Sequence, residues 1–564
     1  MGGGLIELVA HGVQDIYLIG NPQISFFKVI YKRHTNFSME SIRGVFDGDI
    51  NFGNKVSISL PRNGDLIHTM TLEVDLPLIT SKTPLKASSS VTVIATEDEV
   101  VGAGKTLNIT GLDIDLANDV EILFTNGGVL KITTPATAGA TSLTGTISNA
   151  TISSGEVGST NINAGGGNIS YVNSIGHALI DYVELEIGGQ AIDRHYGEWM
   201  EIWSLLTTSK SKQFGYTDMI QRYSADSALG SFLPGKIPGP LTTFTPLQFW
   251  FCRNVGLALP LVALQYHEVK VNLQFKPLSE LTTFGQFKYF TVSAYNNGSG
   301  VLEKASSTDP DFESSDVGKY VVLTDGSTSE ISTFTNQNKI TIAAGLTAKI
   351  SVDDEIYIKP NDSLSGTPRI TEARLYADYI FLDTYERKKF AQMNHRYLIE
   401  QVQYNEKESF PSGTTDRKFK LDFNLPVKSI YWVVQLDKTS RDNDLFNFSD
   451  TVNYNVTKGD PITKAVLKMN GSDRFDEREA KYFRLIQPFQ KHTTVPNDFI
   501  YMYSFALKPE NYQPSGACNF SKIDNANLTV TFKSGLANGN IKVFALNYNI
   551  LRIFSGMGGL AFSN

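Results

Sequence analysis

At 564 residues the chain is too long for one compact domain, and 41% hydrophobic with 19% charged residues is typical of a folded protein. The net charge of −8 argues against a nucleic-acid coat, which normally has a basic surface. The two cysteines, Cys252 and Cys518, exclude a disulfide scaffold and favour a reducing compartment. No apolar run approaches the ~20 residues that span a bilayer, and the opening lacks the basic segment of a secretory signal.

Residues 1–24 are predicted to form an N-terminal arm, because they are Gly-rich at the tip and lack the spacing of a buried strand. From Ile24 the pattern becomes strand-like, with turns such as Asn63-Gly64 between the strands. The first predicted strands cover residues 26–31, 55–60 and 69–76.

Composition changes over residues 81–168, which are rich in Thr, Ala, Ser and Gly and contain short β-runs such as 91–94. This texture predicts a long insertion on the surface, since long loops cost little closure entropy. After it, Trp199, Ile202, Trp203 and Leu206 recur at helical spacing. They predict an amphipathic helix over residues 197–208, packed against the sheets as part of the core.

A second insertion is predicted over residues 279–368, where three short alternating segments indicate a small β-subdomain of its own. Residues 383–392 are charged and lack Gly and Pro, which favours a short helix or an ordered linker. The predicted organisation is therefore an arm, a first β-domain with two insertions, a linker and a second β-domain. Their bounds are 1–24, 25–384, 385–394 and 395–564.

Three strand patterns recur in the same order in the two halves. Residues 183–189, which end in Gly-Gly, correspond to 466–471, which end in Asn-Gly, and an aromatic stretch follows each. The other two matches are 266–275 with 524–532 and 376–382 with 544–551. Each match alone is weak, but three in order indicate two copies of one all-β domain. A chain that joins two closed β-domains is more typical of a building block than of an enzyme.

No segment carries a specific catalytic or cofactor motif. Gly102-Ala-Gly-Lys-Thr106 resembles the end of a phosphate-binding loop, but Glu99 stands where the motif needs glycine. The eight histidines show no metal-ligand spacing, and Asp113 with Asp115 is more typical of solvated acids than of a catalytic pair. The sequence therefore predicts no catalytic residues, no cofactor and no metal.

Two groups of surface residues are candidates for contacts or modification. Lys28, Lys32 and Arg33 lie beside Phe26, Phe27 and Tyr31, either as a solvated strand edge or as a face for acidic partners or lipid headgroups. Asn-x-Ser/Thr sequences in the insertions are the positions at which any sugars would be expected. They begin at Asn108, Asn149, Asn297 and Asn361.

Dispersed motifs resemble one family of viral proteins. The N-terminal ones are GVQDIYLIGNPQISFFK at 12–28, RHTNF at 33–37, FGNKV at 52–56 and RNGDL at 62–66. Central ones are VELEIGGQ at 183–190, GLALPL at 256–261, LQYHEV at 264–269 and DYIFLD at 378–383. The remainder are SFALKP at 504–509, PSGACNFS at 514–521, IDN at 523–525, NYNILRI at 547–553 and SGMGGLA at 555–561. Outside the two insertions, the chain closely resembles the major capsid proteins of nucleocytoplasmic large DNA viruses, above all those of phycodnaviruses and mimivirus relatives.

The resemblance implies an all-β double jelly roll, with two eight-stranded antiparallel sandwiches and both insertions in the first. It also implies a pseudo-hexagonal homotrimeric capsomer that tiles an icosahedral shell, and assembly in cytoplasmic factories of the host. Neighbouring capsomers, minor capsid and penton proteins, and the internal viral membrane are the implied partners, without direct contact to nucleic acid. The alternative is a virion-surface attachment or glycan-binding protein, because jelly rolls also serve as lectins.

Overall fold

The computed structural model describes most of the chain outside its first 18 residues and parts of the two insertions. The described residues are 19, 21–29, 31–79, 91–95, 102–110, 121–124, 129–132, 142–148, 157–160, 169–222, 239–283, 288–296, 298–305, 312, 316, 319–323, 327–342, 350–359, 364, 366–451 and 458–562.

The first β-domain begins with strands β1 (Phe37–Val45), β2 (Lys55–Ser59) and β3 (Leu66–Leu76). Buried and half-buried residues alternate along β3, as expected of a strand with one face on the core. The strand predicted over residues 26–31 is wrong, because its described residues form no ladder. Pairing starts at Phe37, where the chain first lies beside residues 374–382.

The first insertion contains a closed six-stranded barrel. In chain order its strands are β4 (Val91–Ala95), β5 (Gly102–Thr110), β6 (Glu121–Phe124), β7 (Val129–Ile132), β8 (Ser142–Ser148) and β9 (Val157–Thr160). They close in the order β4-β5-β8-β7-β6-β9, with Ala95, Leu130 and Leu143 buried. Closure pairs every strand on both sides, so that no free sheet edge remains in the barrel.

The chain then returns to the first sandwich. The next elements are β10 (Ser170–Tyr171), α1 (Ile175–Ala178), β11 (Ile180–Ile187), β12 (Gln190–Tyr196), α2 (Gly197–Thr207), α3 (Lys210–Ile220) and β13 (Leu241–Pro246). Gly188 and Gly189 join β11 to β12 with φ of 60° and 84°, a turn that strongly favours glycine. The helix predicted over residues 197–208 is confirmed as α2.

Short elements connect this part to the second insertion. They are α4 (Trp250–Arg253), β14 (Leu259–Pro260), β15 (Val269–Phe275), α5 (Leu278–Leu281) and β16 (Thr282–Thr283), with 3-10 turns at Val255–Leu257 and Leu261–Ala263. β16 pairs with β10.

The second insertion folds as a β-subdomain of its own, as predicted, and forms a seven-stranded sheet. Its strands are β17 (Lys288–Asn296), β18 (Val301–Lys304), β19 (Tyr320–Val322), β20 (Thr328–Glu330), β21 (Thr333–Asn336), β22 (Lys339–Thr341) and β23 (Glu355–Lys359). The sheet order is β20-β19-β23-β17-β18-β22-β21. A separate hydrophobic cluster that includes Phe290, Phe312 and Ile356 stabilises it.

Strand β24 (Glu372–Leu382) completes the first jelly roll. The two facing sheets follow the paths β1-β24-β3-β13 and β2-β15-β11-β12, and the short β14 also pairs with β3 in the first of them. Helix α6 (Thr384–Gln392) follows, and the Asp383 side chain accepts a hydrogen bond from the Glu386 N–H at its start. Of the two forms expected for residues 383–392, a short helix or an ordered linker, the structure has the helix.

The second jelly roll contains the remaining elements in chain order. They are β25 (His395–Phe410), β26 (Asp416–Lys420), β27 (Pro426–Leu436), α7 (Asp437–Arg441), β28 (Ile462–Met469), β29 (Ser472–Asp473), β30 (Arg478–Glu479), a π-helical turn (Tyr482–Ile486), α8 (Gln487–Lys491), β31 (Tyr501–Ser504), β32 (Cys518–Asn519), a 3-10 turn (Phe520–Lys522), β33 (Ala526–Phe532), β34 (Gly539–Phe554) and β35 (Met557–Leu560). The facing sheets follow the paths β25-β34-β27-β31 and β26-β33-β28-β29.

The repeat predicted from the sequence is a repeat of topology. Each pair of matched segments occupies the same place in its roll: β11 and β28, β15 and β33, and β24 and β34. The chain is therefore a double jelly roll, with both insertions in the first roll as predicted.

The two rolls interlock through α2. Its residues Trp199, Ile202, Trp203 and Leu206 belong to the hydrophobic core of the second roll. The Trp199 ring centroid lies 5.3 Å from that of Tyr431 and 5.8 Å from that of Phe544. The predicted burial of this helix face is confirmed, but the face packs on the sheet of the other roll.

Candidate assembly surfaces

The described part of the chain contains no group of three or more His, Cys, Asp or Glu side chains suited to a metal ion. None of its helices is long and apolar enough to cross a membrane. The glycine-rich segment 102–106 lies within strand β5 rather than in a phosphate-binding loop, whereas Asp113 and Asp115 lie outside the described residues.

Charged side chains connect the two rolls at their junction. Arg253 of α4 pairs with Glu400 of β25 at 2.7 Å and lies 4.3 Å from the Trp203 ring centroid. Glu400 also accepts a hydrogen bond from the buried Lys428. Burial lowers the pKa of Lys428, although Glu400 opposes this effect. Each of these charges has an opposite partner, so the ion pairs stabilise the junction. Arg253 and Glu400 also line a cavity there, together with Trp250 and Leu398.

A second buried network lies between α1, α2 and α3. The Glu201 carboxylate only accepts hydrogen bonds, so His177 Nδ1 donates to it at 2.6 Å. His177 Nε2 then accepts from the Tyr216 hydroxyl at 3.0 Å, and Arg222 Nε donates to Glu201 at 2.8 Å. Burial lowers the pKa of His177. Burial alone would raise the pKa of Glu201, but Arg222 and His177 together lower it to about 2.

The second insertion contacts the second roll through α7. The Tyr289 hydroxyl donates to Asp442 at 2.7 Å, and Lys438 and Arg441 lie 5.1 Å from the Tyr289 and Tyr357 ring centroids. Burial raises the pKa of Asp442 to about 7. Residues 442–444 form a loop, and the half-buried carboxylate of Asp442 lies in this contact.

The described part of the N-terminal region exposes apolar side chains. Phe26 and Val29 are 90% exposed and Phe27 is 99% exposed. Lys28, Lys32 and Arg33 are exposed among them. The surface continues into β1, whose Phe37, Met39 and Val45 are exposed at the edge of the sheet. Such a mixture of aromatic and basic side chains is typical of a surface that meets another molecule.

The predicted glycan positions are only partly described. Asn108 lies in β5, opposite Ser142 of β8. Asn149, Asn297 and Asn361 lie outside the described residues.

Sequence reasoning missed an exposed apolar face on the second roll. Leu485, Ile486 and Phe489 of the π-helical turn and α8 are exposed by 38%, 46% and 78%. The signal was available, because these residues have the i, i+1, i+4 spacing of Ile202, Trp203 and Leu206 in the first half.

Two fused eight-stranded jelly rolls of equal topology define the class of double jelly-roll proteins, and comparison with known proteins identifies the family. A sequence model described as the large eukaryotic DNA virus major capsid protein matches residues 386–559, and one for the major capsid protein N-terminus matches 25–121 and 129–310. The major capsid protein of Pyramimonas orientalis virus is 35% identical, and that of Chrysochromulina ericina virus 31%, each over 100% of both chains. The quasi-atomic model of the PBCV-1 virus capsid superposes with a TM-score of 0.57 at 26% identity, covering 96% of this chain and 100% of that one.

The chain belongs to the major capsid protein family of large eukaryotic DNA viruses. Its function is structural, as a subunit of the virion capsid, where such proteins assemble with neighbouring subunits.

Proposed function

We propose that three copies of the chain form a pseudo-hexagonal capsomer that tiles the icosahedral shell. The observation that carries this proposal is the duplicated fold, because two similar rolls in each of three chains supply six similar edges to a hexagonal lattice. A permanent trimer needs apolar interfaces, commonly above ~2,000 Å². Contacts between trimers can be weaker, since repetition supplies avidity. Electron-microscopy class averages of the purified protein should show a hexagonal outline with threefold symmetry, and a compact two-lobed particle would oppose the proposal.

The proposed role does not include catalysis. Support comes from the relatives, which are structural capsid proteins, and from the buried charges at the roll junction, which pair with one another. Hydrolase assays on the purified protein, with ester, phosphate and glycoside substrates, should give background rates. Turnover that survives repeated purification and is lost on denaturation would contradict this.

The division into an arm (1–24), a first roll (25–384), a linker (385–394) and a second roll (395–564) is part of the proposal. Helix α6 supports the linker, because it joins the last strand of one roll to the first of the next. Since α2 packs into the second roll, the isolated second roll is expected to be insoluble without residues 197–207. Expression of residues 385–564 with and without a fused α2 segment tests this division.

The two insertions, residues 81–168 and 279–368, are proposed to lie on the outward face of the capsomer. Sequence that is polar and rich in Thr and Gly does not provide the apolar surface of a trimer interface, and a long loop needs free space. Any sugars on Asn108, Asn149, Asn297 or Asn361 would then face outward. Limited proteolysis of intact particles should cut in these regions first. Protection of both regions with cleavage before residue 25 would reverse the orientation.

The N-terminal end is proposed to face the particle interior and to contact minor capsid or penton proteins or the internal membrane. Exposed Lys28, Lys32 and Arg33 beside Phe26 and Phe27 support this, since anionic headgroups attract each basic residue by about 1 kcal/mol. Assembly would take place in the host cytoplasm, without direct contact to nucleic acid, which the net charge of −8 disfavours.

Deletion of residues 1–24 tests the inward position of this end. The truncated chain should still form trimers, but shells should fail to form or should lose their minor proteins. If the truncated chain stays monomeric, the arm instead joins subunits within one capsomer.

A further inference from the structure

The second roll contains a helix at the position equivalent to α2, the helix that joins the two rolls within the chain. Each helix follows the strands beyond an equivalent turn, Gly188-Gly189 in the first roll and Asn470-Gly471 in the second. In α2 the i, i+3, i+4, i+7 positions are Trp199, Ile202, Trp203 and Leu206. In the second roll Leu485, Ile486 and Phe489 repeat the last three of these positions on an exposed face, whereas Tyr482, in the place of Trp199, packs against the core of its own roll. We call residues 482–491 the docking helix.

The two helices match in what they bury as well as in spacing. On the side of its own roll, Met200 of α2 and Phe483 of the docking helix are both fully buried. On the opposite side, α2 packs into the second roll, whereas Leu485, Ile486 and Phe489 are exposed. The docking helix therefore has the face of a helix that joins two rolls, but the described part of the chain contains no third roll to receive it.

The receiving surface of α2 has a counterpart on the first roll. α2 places Trp199 over Tyr431 and Phe544, which are paired residues of β27 and β34. The equivalent strands of the first roll are β3 and β24, where Thr71 pairs with Tyr376 in the corresponding position. Thr71 and Tyr376 are half-buried, on the sheet face opposite the core residues Leu72 and Leu375.

The charges around the two surfaces are complementary. Glu198, next to Trp199 in α2, accepts a hydrogen bond from Lys542 of the second roll. Lys481, directly before the docking helix, is exposed in the corresponding place. Around Arg374 on the first-roll sheet, three carboxylates lie within ion-pair distance, those of Glu73, Asp75 and Glu372. Arg374 stands in the place of Lys542, two residues before Tyr376, but the three carboxylates outnumber Arg374 and Arg43, so that Lys481 meets a net negative group.

We propose that the docking helix of one copy packs on the outer face of the first-roll sheet of the next copy, around Thr71 and Tyr376. The contact repeats between chains the packing of α2 on the second roll, and it rests on the proposed homotrimer. It is heterologous, because each chain presents one helix and receives another. Three copies close the ring, with α2 and the docking helix alternating at six similar junctions.

Substitutions on the docking helix test the proposal in the full-length protein. Ile486→Asp and Phe489→Asp each place a charge in the centre of the proposed contact and should raise the trimer dissociation constant at least about tenfold by sedimentation. The matched control is Val352→Asp, which changes an exposed apolar residue of the second insertion and should leave the constant unchanged. Far-UV circular dichroism and the thermal midpoint check that each variant is folded. Folded Ile486→Asp and Phe489→Asp variants that trimerise like the parent would overturn the inference.

A cross-link tests the partner surface directly. Within the chain, the ring centroids of Trp203 and Tyr431 lie 6.4 Å apart. In the proposed contact, Ile486 takes the place of Trp203, and Thr71 of the next copy takes the place of Tyr431. The double variant Thr71→Cys with Ile486→Cys should give disulfide-linked multimers under mild oxidation, whereas each single variant should not. A trimeric double variant that gives no cross-link overturns the inference but leaves the homotrimer intact. A parent chain that never trimerises overturns both.

Discussion

At the scale of single residues, His177 shows how burial sets a charge state. It is fully buried, donates to Glu201 and accepts from Tyr216, which fits a neutral imidazole. The nearby charges are Glu201 and Arg222, which already pair with each other. A proton on His177 would add an unbalanced positive charge to a dry site, and this lowers the pKa of the imidazole.

The pH dependence of stability follows from this shift. The unfolded chain protonates His177 near pH 6.5, whereas the folded chain does so only at lower pH. Stability from this group is therefore complete above pH 6.5 and declines as pH falls below it, by up to about 1.4 kcal/mol per pH unit. Denaturant titrations at pH 7.5, 6.5 and 5.5 should show a smaller loss for His177→Gln than for the parent.

The contribution of His177 can be separated from those of other titrating groups. The pKa of Asp442 is raised to about 7 in the folded chain, so protonation of Asp442 stabilises the fold as the pH falls. This opposes the loss of stability from His177, but equally in the parent and in His177→Gln. The control variant is His34→Gln, which removes an exposed imidazole and leaves the buried network intact. Equal slopes for His177→Gln and the parent would show that His177 does not titrate as its burial implies.

At the scale of elements, α2 determines how the two rolls are joined. Its Trp203 is 3% exposed, packs on Tyr431 and His492, and has the Arg253 guanidinium over its ring. The helix thus provides the second roll with core side chains that come from the first half of the sequence. Loss of one of these rings leaves a cavity between the rolls rather than inside one of them.

Trp203→Ala is expected to lower the free energy of unfolding by about 3–5 kcal/mol, the usual cost of removing a buried large aromatic ring. Denaturation followed by far-UV circular dichroism measures this change. Phe214→Ala in α3 removes an exposed ring and should cost less than about 0.5 kcal/mol. A Trp203→Ala loss as small as that of the control would show that α2 is not part of the second core.

The sequence predicts where helices and strands lie better than it predicts which elements they pack against. The helix at residues 197–207 and the cap at Asp383 follow from local spacing and hydrogen bonding, so both are readable in one segment. The surface on which α2 packs cannot be predicted from one segment, because an apolar helix face fits any apolar surface. The strand expected at residues 26–31 failed for the same reason, since apolar and β-prone residues form a strand only beside another strand.

The candidate surfaces show the same limit. Lys28, Lys32 and Arg33 could be identified as exposed from charge alone. The docking helix required the repeat to be followed beyond its strands into the helices, and the meaning of Leu485 and Phe489 depended on their exposure in the folded chain. The hydrogen bond between Tyr289 and Asp442 has no local signal, because the two residues are far apart in sequence.

At the scale of the whole molecule, the two rolls share their hydrophobic cores. The first core includes Ile399, Leu445, Leu551 and Ile553 from the second half, and the second core includes α2 from the first. Because each roll contributes to the other core, we expect the pair to behave as one body in the capsomer. A rigid subunit with two similar lobes suits a pseudo-sixfold tile, since its geometry is set before assembly.

The most direct test of this account is the native mass of the purified full-length protein. One chain has a mass of 62.2 kDa. The account predicts a dominant species of three chains that persists across micromolar concentrations. Only monomers or dimers over that range would contradict the homotrimeric capsomer.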